Sequence, residues 1–369
     1  MPAREGASRE VPSRGAAPHP GLPDAAEDVR STAYDVGPVP GTTVVVSTHD
    51  RVAFLPGLFD ALECQRLGSE PFELVVVDDA STDTTWPALV DYAAHTPLRF
   101  RALRLGRNVG QGVGRAVGTA AARGDVVAFT DDDCLPTDRW LERLLAPFEP
   151  GPLGEPRPVV VQGETHGWPD DLAEAGPWSR TVWVMRPTWL FETCNIAYRR
   201  CDLERVGGFP TRDEAHVAAT GRLVGEDAIT GWRVTGSGVP LVFAPDALVH
   251  HRHLPGSYAQ WLREQTGRGA FPALVKRSPL GAKVLWRGLF LAPRTAAFDL
   301  AVACVVAAAA TRRPRLLVGA LAWVWMAMPE ARDRRGRHPV VRVAQIGAGD
   351  FVGMVSLIVG SVRSGRIVL

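Results

Sequence analysis

The chain has 369 residues, enough for one large α/β domain and an appendage. Its 46% apolar and 22% charged residues are those of a globular protein, and a net charge of +1 offers nothing to a polyanion, so no nucleic acid is expected as partner. Five cysteines (64, 134, 194, 201 and 304) stand without CxxC or zinc-site spacing, which fits a reducing compartment and a cytoplasmic site of action.

Residues 1–40 are rich in Pro, Gly, Ala and charge, poor in large apolar side chains, and read as a disordered leader. Order is expected from Thr42 to Thr48, a β-branched run ending in His49-Asp50 and typical of a buried parallel strand. A helix over about 52–67 leads to a second strand, Phe72 to Val77, which runs into Asp78-Asp79. A helix over 84–94, a strand over 98–105, a helix over 109–123 and a strand over 125–130 complete a βαβαβαβ alternation. This is a doubly wound, mostly parallel α/β sheet with helices on both faces, and ligands of such sheets sit beyond the carboxyl ends of the strands. Here those ends carry Asp50, Asp78, Asp79 and the run Asp131-Asp132-Asp133.

A Pro- and Gly-dense stretch over 147–158 separates a donor-binding half, 41–150, from an acceptor and catalytic half, 151–285. The second half is expected to hold strands at 159–162 and 241–244, helices at 200–206 and 225–234, and tryptophans at 168, 178, 183 and 189. Region 286–369 is an apolar, Arg-rich helical appendage: Ala296 to Thr311 and Leu316 to Met328 are almost wholly apolar, and Arg312, Arg313 and Arg315 lie between them. From residue 312 onward ten arginines face three acids, which points to an anionic membrane surface. The apolar stretches are short for clean spans, so an interfacial or re-entrant hairpin on the cytoplasmic face is expected.

Three consecutive aspartates after a buried strand repel one another unless a hard divalent cation, Mn2+ or Mg2+, neutralises them. Asp78-Asp79 forms a second acidic turn on the same rim. Between them runs Gly106-Arg107-Asn108-Val109-Gly110-Gln111-Gly112-Val113-Gly114-Arg115, whose glycines permit either close approach to a ligand or helix-sheet packing, and whose Arg107 and Arg115 suit phosphate. The glycines do not fit a dinucleotide fingerprint, since the sixth place is Arg115 and the loop follows the third strand, which excludes a nicotinamide oxidoreductase.

The ordered set Thr43–Arg51, Val75–Asp83, Asn108–Gly118, Asp125–Trp140, Glu192–Arg200, Val206–Phe209 and Gly225-Glu226-Asp227 resembles the family 2 glycosyltransferases of the GT-A fold. The resemblance covers about residues 42–270 and implies an inverting transfer of sugar from a nucleoside-diphosphate donor to a glycan, lipid-linked or small-molecule acceptor, in cell-envelope or secondary-metabolite synthesis. It implies that Asp79 contacts the nucleoside, that Asp131 and Asp133 are the acids of a DxD motif and hold the metal, with Asp132 beside the donor, and that Asp227 is the general base. Glu226, His251 and Arg263 are accessory candidates. The QxxRW motif of processive members is not matched by Gln260-Trp261-Leu262-Arg263-Glu264-Gln265, which favours single-sugar transfer. The alternatives are a sugar nucleotidyltransferase, which needs no base at Asp227, and an inactive membrane-associated nucleotide-sugar-binding protein.

Overall fold

In the computed structural model, residues 21–66, 71–149, 159–173, 175–210, 216–217, 223–333 and 338–369 are described. The strands are β1 (Ala25–Arg30), β2 (Thr42–Thr48), β3 (Glu73–Asp78), β4 (Arg99–Leu105), β5 (Val126–Thr130), β6 (Cys134–Pro136), β7 (Val160–Gly167), β8 (Asn195–Arg199), β9 (His216–Val217), β10 (Leu223–Val224) and β11 (Leu241–His251). Nine of them form one sheet, ordered β1-β4-β3-β2-β5-β8-β7-β11-β6; β9 and β10 pair separately. The helices are α1 (Leu55–Glu63), α2 (Thr85–His95), α3 (Gln111–Ala121), α4 (Trp140–Leu145), α5 (Arg200–Arg205), α6 (Glu226–Gly236), α7 (Tyr258–Glu264), α8 (Phe271–Lys276), α9 (Pro293–Thr311), α10 (Leu321–Asp333) and α11 (Pro339–Ser364).

Strands β4, β3, β2 and β5 are parallel; β2, β3 and β5 are buried on both faces, as their apolar runs imply, while β4 intersperses arginines with buried apolar residues. Successive side chains of a strand point to opposite faces, so Val44, Val46, Leu74 and Val76 enter the core formed with α1 and α2, while Val45, Val75 and Val77 enter the core formed with α3 and α6. Beyond β5 the sheet is mixed: β8 runs antiparallel to β5 and β7, and β11 is parallel to β7 and antiparallel to β6. Asn195 fastens this second part, donating through Nδ2 to the carbonyls of Glu164 and Ala247 at 2.7 Å each and accepting from Trp140 Nε1 at 2.8 Å.

The leader expectation needs correction over residues 25–30, while 1–20 lie outside the described residues. Strand β1 pairs antiparallel with β4 and is held by charge: Arg101 forks onto Asp28 at 3.1 and 2.8 Å, and Glu27 meets Arg104 and Trp86 at 3.0 Å each. Its sequence, Ala-Ala-Glu-Asp-Val-Arg, has no apolar run to announce an edge strand.

The C-terminal region is helical as expected, and a further apolar stretch, Phe351 to Gly360, lies within a 26-residue helix, α11. One face of α11 packs on α7, the 3-10 turn Gln265–Ala270 and α8. Gly349, Gly353 and Gly360 of α11 make this approach possible, since a Cβ at each would meet Trp261, Arg268 and the Gly269 carbonyl. Asp350, at the middle of α11 and almost fully buried, accepts from Arg294 Nε and Nη2 at 2.9 Å, from Trp323 Nε1 at 3.0 Å and from Arg268 Nη1 at 3.3 Å. Arg294 also pairs with Glu330. Removing the one carboxylate strands Arg268 and leaves Arg294 with Glu330 alone in a partly buried site, so Asp350→Ala is expected to lower stability by about 3–5 kcal/mol in denaturant unfolding. A loss below about 1 kcal/mol would show the network to be solvated.

Candidate active-site cleft

The carboxyl ends of β2, β3 and β5 open into a cleft of about 690 Å³ lined by His49, Arg51, Asp79, Asp131, Asp133, Glu226 and His251, among others. Asp79 sits at its edge with both oxygens engaged: Oδ1 accepts the Val109 amide at 2.8 Å and Oδ2 the Gly110 amide at 2.7 Å. Gly110 has φ +97°, a conformation closed to most side chains, so the loop entering α3 is moulded on Asp79 by backbone alone. Each carboxylate oxygen keeps a second lone pair for a ligand.

The three aspartates after β5 diverge. Asp131 lines the cleft and takes Arg115 Nη2 at 2.7 Å. Asp133 also lines it, with Arg51 Nη1 3.3 Å from Oδ2 and His251 Nε2 3.3 Å from Oδ1. Asp132 turns inward instead: it is buried, its Oδ2 has no hydrogen-bond partner among the described residues, and burial followed by repulsion from Asp133 pushes its carboxyl up to about 7. Asp133 is likewise raised by burial, against the pull of His251 and Arg51. His251 Nδ1 pairs with the Arg252 carbonyl at 2.9 Å, which leaves Nε2 facing Asp133; as a neutral imidazole it would offer that nitrogen's lone pair to a cation beside the carboxylate. Donor atoms of Asp133, Cys134 and His251 lie within 4.8 Å of one another. Asp131, held by Arg115, stands outside that trio; Asp133 and His251 offer a carboxylate oxygen and an imidazole nitrogen that suit Mn2+ or Mg2+, and the excess of buried acid on the rim supports that fit.

Glu226 and Asp227 open α6, where the unpaired amides favour negative charge. Glu226 faces the cleft, and its carboxyl is pushed up to about 7 by burial and then by Asp227. Asp227 lies behind it, with Oδ1 3.2 Å from Arg115 Nη1 and Oδ2 accepting from the Thr193 hydroxyl at 3.0 Å; burial raises it against the pull of Arg115. Glu192, next to Thr193, is buried against Gln162 and Thr188.

Several expected contacts fall elsewhere. Arg115 points away from solvent into carboxylates, Arg107 is exposed and does not line the cleft, and Arg263 is exposed on α7. The cations that do line the cleft are Arg51 and Arg180, which sequence reasoning passed over. Arg51 carries a readable signal, standing directly after the acidic turn that ends β2. Arg180 carries none: it is brought in by paired backbone bonds to Leu254 at 2.9 and 2.8 Å and by Glu264 of α7 at 2.6 Å. The glycines of α3 serve packing, since a Cβ at Gly112 would stand 2.8 Å from Glu226 Cγ and those at Gly114 and Gly118 would strike Ser47 and Val45.

A parallel half-sheet joined to a mixed one, with a carboxylate rim at the carboxyl ends, is the GT-A fold. The structure of a mannosyltransferase from Pyrobaculum calidifontis, solved with GDP-Man and Mn2+, superposes with a TM-score of 0.51 at 23% identity, over 90% of each chain. Residues 43–206 match the family model of glycosyl transferase family 2. The validoxylamine A glucosyltransferase of Streptomyces hygroscopicus subsp. limoneus is 27% identical over 253 residues, 58% of this chain and 53% of its own length. The pre-mycofactocin glycosyltransferase of Mycobacterium tuberculosis is 29% identical over 261 residues, 66% of this chain and 51% of its own. The chain thus spans about half the length of the curated relatives it matches.

Because Glu226 binds its proton more tightly folded than unfolded, its burial weakens the fold as pH rises from about 4 to about 7. Relative to the metal-free wild type, Glu226→Gln is expected to gain on the order of 1–3 kcal/mol between about pH 5 and about pH 8 in chemical denaturation. A stability difference independent of pH would remove the raised carboxyl.

Proposed function

We propose that the protein transfers one sugar from a nucleoside-diphosphate donor to an acceptor hydroxyl with inversion. The observation that carries this reading is the convergence, in one cleft, of Asp131, Asp133 and His251 on one side and the Glu226-Asp227 turn on the other. Asp79 and the amides of the glycine loop bind the nucleoside end, and Arg51 and Arg180 face the diphosphate. Asp131, Asp133 and His251 hold Mn2+ or Mg2+, which when bound neutralises the departing diphosphate. The acceptor oxygen attacks the anomeric carbon as the bond to the diphosphate oxygen breaks on the opposite side, and the hydroxyl proton passes to Asp227. A base needs fixed geometry, and Asp227 has it through Arg115 and Thr193. The names of the two relatives, validoxylamine A and pre-mycofactocin transferases, support a small-molecule acceptor.

The same reading places the protein on an anionic membrane, on the cytoplasmic face. The outer face of α11 exposes Phe351, Val355, Ile358, Val359 and Val362, and α9 exposes Val305 and Val306. Arg312, Arg313 and Arg315 are exposed at the turn after α9. Helices α9 and α11 are apolar enough to span, yet α9 is only about 28 Å long and the middle of α11 is tied by Asp350 to Arg268 of the catalytic region. An interfacial posture accommodates both facts.

Thermal unfolding with UDP or GDP, each with Mn2+ or Mg2+, tests the donor site: saturation at about 100 times Kd adds about 2.7 kcal/mol, and no shift with any pair would sink it. Asp227→Asn is expected to retain diphosphate binding while transfer drops by about two to four orders of magnitude, with near-normal turnover moving the base to Glu226. For the membrane, replacing Arg312, Arg313 and Arg315 by Ser is expected to weaken flotation with phosphatidylglycerol vesicles by about two orders of magnitude, at about 1 kcal/mol per arginine; unchanged flotation would refute an electrostatic anchor.

A further inference from the structure

Arg115 lies on the buried face of α3, with its side chain 5% exposed, where an unpaired cation would be prohibitively costly. It is surrounded by acid. Nη2 lies 2.7 Å from Asp131 Oδ1, Nη1 lies 3.2 Å from Asp227 Oδ1, and Glu226 Oε1 stands 3.9 Å from Nη1. Asp131 follows it by 16 residues and Asp227 by 112, so the contact joins a carboxylate at the end of β5 to one at the start of α6. The two nitrogens belong to one rigid plane, which fixes the separation of the acids they touch. A lysine ammonium is a single point with rotatable donors, so it can touch both acids without holding them at a fixed spacing.

Helix α3 is shaped to deliver this plane. Gly114 lets it approach Ser47 of β2, and Gly112 lets the Glu226 side chain lie against it. A Cβ at 112 would press on the Glu226 side chain, next to Asp227. Both Nη atoms point at carboxylates, and Arg115 is absent from the cleft lining, so the guanidinium is turned away from where a donor phosphate would lie.

We propose that Arg115 is a positioning residue that brackets the metal-side carboxylate Asp131 and the base Asp227, holding the two halves of the reaction centre at one spacing, and that it does not bind the donor. The inference rests on the transfer reading above. It explains why the acids on both sides of the cleft tolerate such proximity, and it gives the base its orientation from the same group that orients the metal ligand.

Arg115→Lys tests the fork while keeping the buried charge, with Arg115→Gln as the charge-free comparison. Thermal unfolding, calorimetry with UDP and GDP in Mn2+, Mn2+ titration followed by electron paramagnetic resonance, and release of diphosphate from UDP- and GDP-sugars are the readouts. For Arg115→Lys the expectation is an unfolding temperature within a few degrees of wild type, diphosphate and Mn2+ affinities within about threefold, and a kcat about 100-fold lower with little change in donor KM. Arg115→Gln should lose kcat similarly and also unfold earlier. The double variant with Asp227→Asn should lose clearly less than the product of the two single losses, because Arg115 acts in part through that carboxylate. Normal kcat in Arg115→Lys, losses that multiply in the double variant, or a loss confined to diphosphate affinity would overturn the bracket. Wild-type protein that releases no diphosphate from any donor would overturn the transfer reading, and the bracket with it; wild-type turnover beside an unimpaired Arg115→Lys would overturn the bracket alone.

Discussion

The close approach of α3 to β2 is the constraint on which the rest of the centre depends. Strand β2 is buried on both faces, and the helix above it can settle only where Gly114 and Gly118 clear Ser47 and Val45. That depth lets the amides at the helix entrance meet Asp79, sets Arg115 beneath the rim, and leaves room for the first turn of α6. A helix standing off by the width of a methyl group would lose all three contacts together, because interiors are close-packed and do not absorb such shifts locally.

What could be read in the sequence follows the range of the forces involved. Strands buried on both faces announce themselves as apolar runs, and β4 by apolar residues spaced between arginines, so β2, β3, β4 and β5 were legible to within a residue or two. The acids at their ends were legible too, since repulsion between Asp131, Asp132 and Asp133 needs no knowledge of the fold. Strands β7 and β11 were seen only in part, because their outer portions alternate with polar residues, and β8 was hidden within a motif read for chemistry. Strand β1 escaped because its stability lies in ion pairs with arginines more than 70 residues away. The same limit misdirected the phosphate assignment: an arginine's sequence neighbours do not show whether it faces solvent or a carboxylate, so Arg115 and Arg107 were favoured over Arg51 and Arg180. For the glycines of α3, packing and ligand approach were both open on sequence grounds, and only the position of β2 decides for packing.

The C-terminal helices are apolar on two sides, and each side answers to a different partner. The inner side of α11 is fixed to the catalytic region by Asp350 and by glycine contacts, while the outer side exposes branched and aromatic residues. Helix α7 lies between these layers: Tyr258 donates to the Gln345 carbonyl of α11 at 3.2 Å, and Glu264 holds Arg180 in the cleft wall. The cleft and the appendage therefore share a short, direct chain of packed groups.

The clamp of Asp79 on two backbone amides separates shape from selectivity in the donor loop. The path of Asn108 to Gln111 is dictated by a carboxylate outside the loop and by the left-handed torsion of Gly110, and by no side chain at 108, 109 or 111. Asn108 and Gln111 nevertheless face the cleft. Their side chains can be exchanged during divergence without redrawing the loop, so a lineage carrying this scaffold can alter what its cleft presents at two positions while the groups behind them stay in place.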